Sequence, residues 1–344
     1  MPMIPIRPSK LSLELHANAR ANVPTMIWGP PGIGKSDLVY QFATSIGAKL
    51  FEMRANLFDP VDVRGGLKVV EQIDDNGVPT GEYRTRYGVP EDYPNSNHQG
   101  PVVLFIDELP NAPKATQNAL LQLILDKKLG TYVLPPQTVI IAAGNRAADR
   151  AAVAEMPTPV KNRFAHYEIQ VNHDDWCQWA LQNGVNSTLI GFIRYRPQHL
   201  HVMDTKENAF PTPRSWAMLD RKLPHMSIDK ESQIVGAAAV IGDGVAGEFI
   251  TYREVESQMP DIDQLLKHPG TASVPTETSV LWAVCGALAS RADAGTFANV
   301  IKYAERMPPE YQVITIKDSI AKDKSLGRDA AFLKWAQVNA SVFL

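Results

Sequence analysis

Cysteine is scarce in this sequence: two in 344 residues, Cys177 and Cys285. Two cysteines cannot build a disulfide framework or a four-cysteine zinc site, so neither kind of staple is expected here. A surplus of one charge is also missing. The 34 Lys+Arg stand against 37 Asp+Glu, a net charge of −3. That balance argues against a bulk nucleic-acid coat or a basic membrane binder, while leaving room for a local basic patch. Long hydrophobic runs are absent too. The most apolar window, SVLWAVCGALAS at 279–290, is too short to span a bilayer and reads as a buried core helix. The N-terminal MPMIPIRPSK holds three prolines and no apolar stretch of the kind a signal peptide carries. A cytoplasmic protein without a membrane segment is therefore expected, in which the sequon Asn186-Ser187-Thr188 has no meaning. With 44% apolar and 21% charged residues the chain is no disordered polymer. Its length suits about two to three domains.

What is present begins with a pattern of strands and helices. Residues 11–20 read as a short helix and Val23 to Trp28 as a compact apolar strand. A glycine loop follows, and then a helix from Lys35 with Leu38, Val39 and Phe42 at helical spacing. LKVVEQIDDNGVPTGEYRTRYG, from residue 67, alternates around an Asn76-Gly77 turn and reads as a hairpin. Val102 to Ile106 and Thr138 to Ala143 are short unalternating apolar runs, as buried parallel strands should be. Between them 114–126 is an amphipathic helix, with Leu120/Ile124 and Leu121/Leu125 one turn apart. Another strand is expected over His166 to Val171. Strands alternating with helices predict an α/β domain with a parallel sheet. Beyond residue 173 the strand signals nearly vanish. Helices are expected at 174–183, 187–196, 213–222 and 231–254, then around 279–290, 297–306 and 329–343.

The glycine loop carries chemistry. Gly29-Pro30-Pro31-Gly32-Ile33-Gly34-Lys35-Ser36 satisfies G-x-x-x-x-G-K-[ST]. Glycines let backbone N–H groups turn toward a phosphate, and the helix N-terminus behind them adds partial positive charge. Lys35 would reach the β- and γ-phosphates, and the Ser36 hydroxyl would bind Mg²⁺. Four fixed positions match by chance in roughly 1% of chains this long, and the flanking strand and helix lower that further. The second apolar strand ends in Asp107-Glu108, at the sheet edge where α/β proteins bind ligands. Asp107 would organise Mg²⁺ and Glu108 would orient and polarise the attacking water. A solvated Asp-Glu turn would look the same in isolation. The third strand ends at Asn145, whose amide could bond both the water and the γ-phosphate. Arg163 follows MPTPVKN and precedes Phe164, an apolar anchor able to aim it outward. Arg214, in FPTPRSW, projects from a helix start capped by Thr212 and Pro213. For both arginines an ordinary surface role is the competing reading.

Together these segments resemble an AAA+ ATPase, most closely the MoxR-like branch. The resemblance covers about residues 10–255 and rests on GPPGIGKS, VVLFIDEL, the helix NAPKATQNALLQLILDKKLG, VIIAAGN, MPTPVKNRF, FPTPRSW and RANLFDPVDVRGG. It implies a P-loop NTPase core with helices on both faces of a parallel sheet over 1–172. An all-helical lid over 173–258 and additional C-terminal helices over 259–344 would follow. It implies that Asn145 is the sensor-1 residue, Arg163 the arginine finger acting on a neighbouring subunit, and Arg214 the sensor-2 residue, with Arg146 and Arg150 nearby as further finger candidates. It implies ATP and Mg²⁺, a ring that is usually hexameric, and a protein client, often one carrying a von Willebrand factor A-like domain. The hairpin at 67–88 resembles the helix-2 insertion, and Leu129 to Pro135 a short hairpin before sensor 1. Such loops usually line the pore or face a client. The expected function is an oligomeric Mg²⁺-dependent ATPase that remodels or activates a protein partner. Two alternatives stand beside it: a nucleic-acid-stimulated motor or loader, and a nucleotide-dependent scaffold or switch with little turnover. Arg84 and Arg86 alternating with Tyr83 and Tyr87 fit nucleic acid, a protein contact or a plain solvated hairpin face. His199 and His201, two apart, do not form a metal pair on a helix face. The small-residue run Ile234 to Phe249 is expected to pack tightly in the lid.

Overall fold

The computed structural model describes residues 5–146, 156–204, 206–255 and 259–339. The chain divides into two compact units, Met1–Val171 and Asn172–Leu344.

The first unit contains ten strands and five helices among the described residues. They run β1 (Pro5–Ile6), α1 (Pro8–Ala21), β2 (Thr25–Trp28), α2 (Lys35–Ser45), β3 (Lys49–Arg54), α3 (Pro60–Arg64), β4 (Leu67–Ile73), β5 (Pro79–Tyr87) and β6 (Val102–Asp107). Then come α4 (Lys114–Asp126), β7 (Lys128–Leu129), β8 (Tyr132–Val133), β9 (Thr138–Gly144), α5 (Thr158–Lys161) and β10 (Ala165–Ile169). Six strands form a parallel sheet in the order β1-β10-β2-β9-β6-β3. Alternate residues of the apolar runs serve opposite faces. Met26, Leu104, Ile106, Ile140 and Ala142 join Leu120, Leu123 and Ile124 of α4 in one core. Ile27, Val103, Phe105, Ile141 and Ala143 join Leu11 and Leu15 of α1 and Val39 and Phe42 of α2 in the other. A parallel sheet covered on both faces needs apolar side chains at every central position, which is why β6 and β9 read as unbroken apolar runs.

The sheet is wider than the sequence pattern suggests. KLFEMR at 49–54 gives no apolar run, yet it pairs with β6 along its whole length. As an edge strand it keeps Lys49 and Arg54 exposed. β1, of two residues, closes the other edge.

The hairpin β4–β5 is antiparallel and stands out from the sheet, with every residue of β5 exposed. Its register sets Leu67 opposite Tyr87 and Glu71 opposite Tyr83, while Lys68 faces Arg86 and Val70 faces Arg84. By strand alternation Leu67, Val69, Tyr83 and Tyr87 share one side, and Lys68, Arg84 and Arg86 the other. The short hairpin expected at 129–135 is β7–β8, paired from Lys128 to Val133.

The second unit is helical: α6 (His173–Gln182), α7 (Ser187–Tyr195), α8 (Pro213–Lys222), α9 (Lys230–Ile241), α10 (Asp243–Val255), α11 (Ile262–Lys267), α12 (Thr278–Arg291), α13 (Phe297–Ala304), α14 (Pro309–Lys322) and α15 (Ala330–Val338). The single helix expected over 231–254 is two, broken at Gly242, whose φ is 82°. A side chain there would meet the Ala209 carbonyl oxygen at 2.9 Å. α12 packs along both α7 and α14. Arg194 of α7 pairs with Asp318 of α14 at 2.5 Å, both side chains buried, and lies 3.7 Å from Asp174 of α6. Residues on either side of 259 therefore share one interior. Breaking such a pair from one side leaves an uncompensated buried charge. Cys177 and Cys285 are both buried, and burial pushes each thiol up to about 12. Among the described residues no helix is long and apolar enough to cross a membrane.

Candidate active site

Strand order decides which residues meet. β2, β9 and β6 are consecutive neighbours pointing the same way. Their C-terminal ends carry the phosphate loop after Trp28, Asn145 after Gly144, and Asp107-Glu108. Trp28 pairs with Gly144 and Ile106 with Ala142, so the three endings lie at one level of the sheet edge. An open crevice at that edge is where α/β sheets bind ligands.

The loop from Gly29 to Gly34 turns into α2, with the left-handed Gly34 as its N-cap. Lys35 opens the helix and is buried. Its ammonium donates to the Gly29 carbonyl at 2.8 Å, the Pro30 carbonyl at 3.1 Å and Asn145 Oδ1 at 2.8 Å. The lysine is thus folded onto its own loop and onto the end of the neighbouring strand. Asn145 is itself buried and joined to Lys35 across 110 positions of sequence.

Ser36 Oγ donates to Asp107 Oδ2 at 3.4 Å. Two hard oxygens side by side suit Mg²⁺, which takes few protein ligands and leaves the rest to phosphate and water. Among the described residues there is no group of three or more His, Cys, Asp or Glu placed to hold a metal by themselves. Asp107 Oδ1 also accepts the Glu108 backbone N–H at 2.9 Å. Glu108 has φ 54° and ψ 29°, a left-handed conformation uncommon outside glycine. Its carboxylate accepts a hydrogen bond from the Asn111 side-chain amide. Sequence reasoning missed Asn111. Its signal was the position three residues after the glutamate, in a Leu-Pro-Asn turn that brings the two side chains back together.

Of the arginines, Arg146 and Arg163 lie in the same unit as this group and Arg214 in the other. Arg163 is exposed on the turn after α5, while Phe164 beside it is buried against α4 and β6 residues. Arg146 is engaged with Glu168 of β10 at 2.6 Å. Arg150 lies outside the described residues. Arg214 is exposed in the first turn of α8, in the second unit, where Thr212 and Ser215 form a reciprocal cap. His199 stacks on Phe192 and sits 3.2 Å from Glu248.

Residues 24–164 match the family model described as AAA domain (dynein-related subfamily). No curated protein matches the chain. Among solved structures it is similar to the Thermotoga maritima RuvB Holliday junction branch migration motor, with 15% identity over 85% of this chain and 83% of that one and a TM-score of 0.40. It is also similar to NtrX from Brucella abortus in complex with ATP, with 12% identity, 100% and 70% coverage and a TM-score of 0.37. A putative ATPase from Cytophaga hutchinsonii gives 11% identity, 97% and 88% coverage and a TM-score of 0.34.

Proposed function

We propose that this chain, an ATP hydrolase carrying an AAA domain, works as a Mg²⁺-dependent, MoxR-like ring subunit that couples hydrolysis to remodelling or activating a protein client. The observation that carries this reading is the meeting of Lys35, Ser36, Asp107, Glu108 and Asn145 at the ends of three adjacent strands. ATP entry would draw Lys35 from the Gly29 and Pro30 carbonyls onto phosphate oxygens, an exchange of neutral acceptors for charged ones. Backbone N–H groups of the loop 29–34 would hold the phosphates. Ser36 and Asp107 would hold Mg²⁺, which neutralises charge on the β- and γ-oxygens when bound. Glu108 orients the attacking water, and Asn145, already bonded to Lys35, reports whether the γ-phosphate is present.

The rest of the assignment concerns neighbours. Arg163 is exposed, with no ion pair among the described residues, as a residue serving another subunit's phosphate must be. Arg214 would act from the helical lid, residues 173–258, and the helices after 259 would extend that lid. A hexameric ring and a client with a von Willebrand factor A-like domain complete the proposal. Its test is ATP turnover per subunit over a dilution series, with Arg163→Ala subunits doped into wild type. Ring catalysis predicts a turnover that falls on dilution and a loss steeper than the fraction doped. Turnover indifferent to both removes the shared site.

One observation favours a second reading. Lys68, Arg84 and Arg86 share a side of the exposed ribbon β4–β5, a basic surface suited to a nucleic-acid backbone, while Tyr83 and Tyr87 lie on its opposite side. A nucleic-acid motor predicts ATPase stimulation by single-stranded DNA or RNA that fades steeply as salt rises. No stimulation at low salt excludes it.

A further inference from the structure

We infer that Asn111 is a positioning residue for the water-activating carboxylate, resting on the role of Glu108 proposed above. Four observations converge on it. First, the Asn111 side-chain amide donates to Glu108 Oε2, which leaves the other carboxylate oxygen as the one available to a water. Second, the other end of that amide, Oδ1, is buried and has no hydrogen-bond partner among the described residues. An amide placed to stabilise the fold would satisfy both ends, because a buried unpaired oxygen is costly. Asn111 satisfies only the end that faces the catalytic carboxylate. Third, the backbone between them is bent to make the contact. Glu108 takes its left-handed conformation, and the Asn111 backbone N–H closes the turn onto the Glu108 carbonyl at 2.9 Å.

Fourth, the turn rests on a rigid bed. Leu109 and Pro110 are buried, and the Pro110 ring lies where a Gly144 side chain would be. Gly144 is the last residue of β9, directly before Asn145. The turn that holds Glu108 is therefore pressed against the strand end that holds the γ-phosphate sensor. Free rotation of a glutamate about its side-chain bonds would scatter the water it orients. The Asn111 bond removes that freedom, and the packing on Gly144 fixes where the bond points.

The consequence is a separation of turnover from binding. Among the described residues Asn111 makes no hydrogen bond to the phosphate loop or to Ser36, so its loss should spare nucleotide affinity. The experiment compares Asn111→Ala, Asn111→Asp, Glu108→Gln and the Glu108→Gln/Asn111→Ala double variant. It reads kcat and KM for ATP, the Kd of a fluorescent ATP analogue, and the thermal midpoint. Asn111→Ala should lower kcat by about 10- to 100-fold, the scale of a misplaced reacting group, with KM and Kd within about twofold. Asn111→Asp, nearly isosteric, replaces the donor with a repelling carboxylate and should lose at least as much at an unchanged midpoint. In the Glu108→Gln background Asn111→Ala should lose nothing more. Wild-type or faster turnover in Asn111→Ala or Asn111→Asp, a loss confined to KM, or additive losses in the double variant would overturn the inference. Full activity in Glu108→Gln would remove the proposed role of Glu108 and this inference with it. An inactive Glu108→Gln beside fully active Asn111 variants would remove only the inference.

Discussion

The sheet edge and the ribbon β4–β5 lie in the same unit and are built on opposite principles. At the edge, Lys35 and Asn145 are buried and bonded to each other, and the residues behind them, Phe105 and Ile106, are wholly enclosed. On the ribbon, Leu67, Val69 and Tyr83 are each about two-thirds exposed and every residue of β5 faces solvent. Edge residues are enclosed and already bonded to one another. Ribbon residues gain little from folding. A two-stranded ribbon alone is marginal in water, and apolar side chains lie exposed on both its strands. One region is enclosed and internally bonded, the other displayed to solvent.

The contrast can be broken by substitution, and the expected effects descend from edge to ribbon. Lys35→Ala should cut kcat/KM for ATP by about 10³-fold, as loss of a preorganised phosphate contact does, measured by steady-state phosphate release. Phe105→Ala, beneath the same edge, should destabilise the fold by about 3–5 kcal/mol, read from the urea midpoint of the first unit. Gly144→Ala forces Pro110 to shift and should cost about 1–3 kcal/mol, with a drop in kcat larger than any change in nucleotide affinity. Tyr83→Ser on the ribbon should stay within about 0.5 kcal/mol of wild type in the same unfolding assay. A ribbon substitution as destabilising as Phe105→Ala would mean that the ribbon is part of the core and the contrast is false.

Much of the strand-end cluster was legible in the sequence because its signals are local. Eight consecutive residues match the phosphate-loop pattern, and the acidic pair and Asn145 each terminate a recognisable apolar run. Residues that depend on distant partners were harder. β3 has one neighbour in the sheet and lacks the unbroken apolar run of the central strands, so no local signal announces it. Gly242 interrupts a continuous helical pattern because the break answers to the Ala209 carbonyl, 33 positions earlier in the chain. Asn111 sat inside a segment already quoted for its family likeness, yet its contact with Glu108 depends on a backbone conformation that composition does not announce. Arg163 and Arg214 were readable as motif members, while their placement opposite a nucleotide remains part of the proposal.

The sequence alone determined the chemistry on offer: a lysine after a glycine loop, two carboxylates and an amide, each at a strand end. Such features are set by covalent adjacency and side-chain type. It also determined that two thiols would have no framework to join, and burial now accounts for both. The tertiary structure decided the company these groups keep. Insertion of β9 between β2 and β6 brings Asn145 within 2.8 Å of a lysine 110 residues away. Packing of α12 and α14 on α7 merges the residues beyond 259 with those before it. Strand order and helix docking follow from which apolar faces cover one another, a choice among long-range contacts that no local period records.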